Sequence, residues 1–129
     1  MNSIIRTHVL TPVHGAFLLE AALDRLGAWL DTELGSLENL LDITGHAKAA
    51  GDIAALRGLH LNATSTPTDV RRLLEAARSS LARLLDRVRT IPANAEFGWW
   101  LPSDFDAWVC WSGARLEDII KTLQNALDE

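Results

Sequence analysis

The sequence predicts an all-α fold, a mostly antiparallel four-helix bundle, on three observations. Apolar residues recur at three- and four-residue steps in long stretches, the signature of helices with one buried face. Hydroxyl–proline pairs at Thr11-Pro12 and Thr66-Pro67 mark helix starts, because proline suits the first helical position and a hydroxyl caps unpaired amides. Short connections at 44–45 and 62–66 then force consecutive helices to run antiparallel.

The clearest helix runs over 67–91. Thr66, Pro67 and Asp69 read as N-cap, first residue and capping-box acid. Val70, Leu73, Leu74, Ala77, Leu81, Leu84, Leu85 and Val88 share one face, and Pro92 closes the helix by disfavouring helical geometry at Ile91. Its remaining surface carries Arg71, Arg72, Arg78, Arg83, Arg87 and Arg89, half of the chain's 12 basic residues. On a helical wheel Arg71, Arg78 and Arg89 fall on one flank, Arg72, Arg83 and Arg87 on the other, with Glu75 and Asp86 between. That division suits a helix between acidic neighbours better than a phosphate-binding stripe. The neighbours are acidic: residues 13–43 set Arg25 against six acids, and residues 103–129 set Arg115 and Lys121 against six.

A long helix is expected over 12–43, with Leu19, Leu23, Leu26, Leu30, Leu34, Leu37 and Leu41 as its stripe, Trp29 and Leu40 at its edge, and Thr44-Gly45 as its stop. Glu33 falls inside that stripe. The favoured reading is a kink between Thr32 and Ser36, eased by Gly35, that turns the carboxylate to water; the sharper one is a buried functional acid. Ala21, Ala28 and Gly35 form a second row of small residues, suited either to solvent or to close approach of another helix.

The 46–61 helix is weaker, because Gly51 and Gly58 each cost about 1 kcal/mol relative to alanine. Ala49, Ile53, Leu56 and His60 still share a face. After Pro92, a connection containing Phe97, Trp99 and Trp100 is expected to cross the end of the bundle as an aromatic lid. A last helix over 103–128, started by a capping box of Ser103 and Asp106, buries Phe105, Val109, Ser112, Leu116, Ile119, Ile120, Leu123 and Leu127.

With 129 residues, 48% hydrophobic and 22% charged, the chain fits a single domain with its own core, preceded by an arm over 1–11. The net charge of −5 argues against a polyanionic partner. One cysteine excludes an internal disulfide framework, and no apolar run approaches membrane-spanning length. A cytoplasmic protein with no membrane partner is expected, and the sequon Asn62-Ala63-Thr64 is taken as accidental.

Chemistry-bearing motifs are sparse. His8, His14, His46 and His60 show none of the spacings of zinc or di-iron sites, and no phosphate loop or nucleophile elbow is present. No cofactor is expected. Cys110 has no neighbouring base in sequence. An enzyme or metal site would need Glu33, His46, His60 or Cys110 to converge, for instance with Asp42 beside His46.

Four of the five tryptophans, Trp99, Trp100, Trp108 and Trp111, lie within thirteen residues. Trp111 sits off the apolar stripe, in a row with Ala107, Ala114 and Asp118, and Cys110 lies on the opposite flank. Tryptophan beside alanine on an outer face suits a protein contact. The expectation is a non-catalytic helical interaction or regulatory module, self-associating as a homodimer or binding an unidentified protein. Its candidate surface comprises Trp99, Trp100, Trp111, Ala107, Cys110, Ala114, Asp118, Ala21, Ala28 and Gly35. The alternatives are a nucleic-acid-associated protein using the six arginines, and an enzyme or metal-binding bundle around Glu33, His46 and His60.

Overall fold

In the computed structural model, residues 11–60, 65–93 and 100–128 are described, with side chains from Leu18 onward, and every regular element among them is helical. The chain runs through α1 (Thr11–Thr32), α2 (Leu34–Ile43), a 3-10 turn (Ala47–Ala49), α3 (Ala50–Arg57), α4 (Pro67–Val88) and α5 (Pro102–Asp128). The expected arm up to residue 10, the sequon, Phe97 and Trp99 lie outside the described residues.

The start of α4 follows its sequence signature. Thr66 is extended, its hydroxyl accepts the Asp69 N–H at 3.2 Å, and its own N–H donates to the Asp69 carboxylate at 3.0 Å. Two amides that a helix leaves unpaired are thereby satisfied reciprocally. The buried side chains of α4 are Val70, Leu74, Ala77, Leu81, Leu84, Leu85 and Val88, with Ser80 in the same stripe. The helix stops at Val88, before the predicted end at Ile91, because the last amides shift to shorter-range acceptors: Thr90 N–H to Arg87 O and Ile91 N–H to Val88 O, each 3.1 Å. This tightening leaves Ile91 buried.

The predicted 12–43 helix divides at Glu33, which has φ −123° and ψ −21°. The division is a bend and not a separation. Glu33 N–H still reaches Trp29 O at 2.8 Å and Leu37 N–H reaches Glu33 O at 3.1 Å. The expected kink is therefore present, but its expected consequence is not: Glu33 is only 7% exposed. Its carboxylate turns inward to Arg115, whose two donors compensate the burial.

The stop at 44–45 is a Schellman turn. Gly45 takes φ +82°, its N–H donates to Asp42 O at 3.2 Å, and His46 N–H donates to Leu41 O at 2.9 Å. Glycine holds this left-handed position without the steric cost a Cβ would bring. The 46–61 helix is shorter than predicted, since it ends at Arg57 with Gly58 as its cap. Ala49, Ile53 and Leu56 are buried as expected. His60 lies beyond that end and is exposed, its ring nitrogen 3.0 Å from Gly58 O, so it does not continue the face of Ala49, Ile53 and Leu56 on which the sequence places it.

Helix α5 begins at Pro102, one residue early, which puts Ser103 inside the helix instead of at its cap. Proline supplies the start here as it does at Pro67. The core forms where α4 packs against α1, α3 and α5, and α5 also packs along α1. A second, smaller cluster of Leu40, Ile91 and Phe105 closes one end, with Trp100 and Trp108 against it. Trp100 stacks on Trp108 at 5.0 Å and meets Phe105 edge-on at 6.5 Å.

Two outcomes check this account. Leu81, fully buried at the centre of the α4 stripe, should cost about 2–5 kcal/mol when changed to alanine, read by urea denaturation. The hydrogen bond from the Thr66 N–H holds the Asp69 carboxyl below its ordinary pKa. Its contribution is complete above the ordinary carboxylate range, about pH 4, and is lost as pH falls through the lower folded value. Asp69→Asn should therefore lower Tm at neutral pH, with the difference closing in acid.

Candidate functional site

Three side-chain contacts set α5 against the α1–α2 strip in antiparallel register. Trp108 Nε1 donates to Ser36 Oγ at 2.9 Å. Arg115 donates through two nitrogens to the two oxygens of Glu33, at 2.8 and 2.5 Å. Arg25 faces Asp118 at 3.6 Å. Of these, the Glu33–Arg115 pair is the strongest, because a planar guanidinium matches a carboxylate with two parallel bonds. Glu33 also holds the guanidinium pKa above its ordinary value, through the hydrogen bonds first and the charge second. The Arg25–Asp118 pair is loose, with both side chains more than half exposed.

Between these contacts lies a notch of about 100 Å³, walled by Arg25, Ala28, Thr32 and Asp118, with Trp29 and Glu33 among its lining residues. Further along the same seam, Ala21, Ala22, Arg25 and Thr122 line a second, shallower groove. The outer side of α5 beside the notch carries Ala107, Trp111, Ala114 and Asp118, all exposed, and Trp111 is 47% exposed. The small-residue row and the tryptophan row of α5, identified separately in the sequence, thus meet at one seam through Ala21 and Ala28 of α1 and Asp118 of α5. Ala28 and Asp118 wall the same notch, Gly35 is exposed with no atom near the position of an added Cβ, and Ala21 is half-buried. Cys110 is exposed on the far flank of α5. Trp100 belongs instead to the end cluster, where its ring is spent on Trp108 and Phe105. Trp99 lies outside the described residues.

Four of the six arginines on α4 and its C-cap reach neighbouring helices, on the flanks the wheel gives them. On one flank Arg71 donates to the Leu127 carbonyl at 2.6 Å, Arg78 to Gln124 at 2.9 Å and Arg89 to Glu117 at 2.6 Å, all on α5. On the other, Arg83 pairs with Asp52 of α3 at 2.9 Å. Arg72 meets Asp69 within α4 at 3.7 Å, and Arg87 is half-buried. Arg71, Arg78, Arg83 and Arg89 serve as fasteners between helices, so as nucleic-acid contacts these four would first have to leave protein partners.

The residues an enzyme would need are dispersed. Glu33 lines the α1–α5 notch, His46 a depression beside Glu38 and Asp42 at the α2–α3 elbow, and His60 an apolar one beside Leu59 and Leu73. Asp42 and His46 do share a depression, and the His46 ring lies 3.4 Å from the Thr90 hydroxyl. Among the described residues no three His, Cys, Asp or Glu side chains gather as a metal site requires, and no helix is long and apolar enough to cross a membrane. Comparison with protein-family models, curated proteins and solved structures gives no significant match.

Sequence reasoning missed Arg115, Arg25 and Thr32. The signal for Arg115 was available: it is the only arginine of α5, one of just two basic residues in the last helix, and lies beside its inward stripe. An acid inside the stripe of an antiparallel neighbour needs such a partner. Removing one member should accordingly be worse than removing both, since the single change strands a buried carboxylate. Arg115→Leu is expected to lower Tm more than the double variant Glu33→Leu/Arg115→Leu, measured by circular dichroism.

Proposed function

We propose that this chain is a non-catalytic helical interaction module that self-associates through the outer α1–α5 face, built on a four-helix bundle in which α1 and α2 act as one bent helix. The observation that carries the reading is Trp111, a large aromatic left 47% exposed among alanines. An indole on water gains by burial, and tryptophan is among the residues that most often anchor interfaces. Small neighbours let a second helix approach closely.

Charge supports the same face. The chain carries −5 overall, which opposes contact between like copies over most of its surface. The α1–α5 seam is different, because Arg25 stands against Asp118 and Arg115 against Glu33. It offers a locally balanced strip on an acidic protein. An assembly subunit and a protein that binds and blocks another would both use such a strip.

Sedimentation equilibrium tests the proposal. The native chain should sediment as a dimer at tens of micromolar, and Trp111→Glu should shift it to the monomer with helical content unchanged. A native monomer, or a Trp111→Glu variant that unfolds, would place Trp111 in a different role.

A further inference from the structure

Resting on the reading that Trp111 marks an interaction face, we infer that the occupant is a second copy of this chain in one register, with each Trp111 seated in the notch of its partner. The projecting group and the recess belong to the same seam. Trp111 and Asp118, which walls the notch, are seven positions apart on α5, about 10 Å along the axis at roughly 1.5 Å per residue. A twofold axis midway between them, near Ala114, lays the two α5 helices antiparallel and carries each Trp111 onto the other copy's Asp118. Such an interface is isologous, so one projection and one recess suffice to make two contacts.

The residues at the axis and in the notch fit this arrangement. Ala114 is exposed and small, which permits helices to approach to about 8 Å. Arg115, the long side chain beside it, is tied to Glu33 by two hydrogen bonds and lines the notch together with Arg25 and Asp118. In the notch, Arg25 is held only loosely by Asp118, at 3.6 Å. Its guanidinium is therefore available to lie over the incoming indole, a cation–π contact that tryptophan makes best. Ala28 and Thr32 continue the α1 side of the notch beyond Arg25, facing Arg115 and Asp118 of α5. The Glu33–Arg115 pair thus acquires a positioning role, fixing the Arg115 guanidinium as part of the recess.

Two variants test the register apart from the association. Ala28→Gln puts a long, uncharged side chain of good helix propensity into the notch; it should weaken the dimer at least about tenfold by sedimentation. Ala114→Cys, in a Cys110→Ser background, should form an intermolecular disulfide under mild oxidation, because bridged cysteines need Cα atoms within about 7 Å. Asn125→Cys in the same background should not, its copies being roughly 30 Å apart in this register at about 1.5 Å per residue. If the native chain dimerises and Trp111→Glu abolishes it, yet Ala28→Gln has no effect and the Ala114→Cys variant does not cross-link, the register is wrong while the face stands. If the native chain is monomeric, both proposals fall and the face serves a partner of other composition.

Discussion

The apolar stripe of α4 is the constraint on which the rest of the molecule depends. Helices α1, α3 and α5 all pack against it, so the position of each is set by where it meets α4. A core residue such as Leu74, Leu81 or Leu84, with no exposed surface, contributes on the order of 1.5–3 kcal/mol by burial alone. The ion pairs at the edges are worth much less, about 0–1 kcal/mol each when exposed. Burial holds the helices together, and the arginines that reach across help select which helix lies on which side of α4.

That division of labour explains why α1 and α5 meet with their outer rows open. Three of the α4 arginines fasten α5, and α5 then has one flank left for α1 and one for water. The bend at Glu33 follows from the same geometry. A carboxylate in the α1–α5 seam must be paired or it would be expelled, and Arg115 pairs it while the helix loses regularity at a single residue.

Much of the fold was legible because it is written in local signals. The capping box at Thr66, the left-handed Gly45 and the stripes of α4 and α5 are matters of spacing within one helix, and each falls within a few residues of expectation. What was not legible depends on contacts between helices. Glu33 was expected to face water because Gly35 favoured a kink there, and the partner that holds it inward lies 82 residues away. His60 was placed on the face of Ile53 and Leu56 because Gly58 was read as weakening a helix that it in fact ends. The two halves of the candidate face, Ala28 on α1 and Trp111 on α5, were each visible. Their sharing one seam, and the notch between them, required the antiparallel register that Arg115 and Trp108 fix.

The central claim, that the outer α1–α5 face is where one copy meets another, is tested most directly by hydrogen–deuterium exchange at two protein concentrations. On concentration, amides around residues 25–32 and 107–118 should become slower to exchange, while those of α3 and the arginine-bearing side of α4 should not. Unchanged exchange in those two segments, or protection centred on α3 and α4, would contradict it.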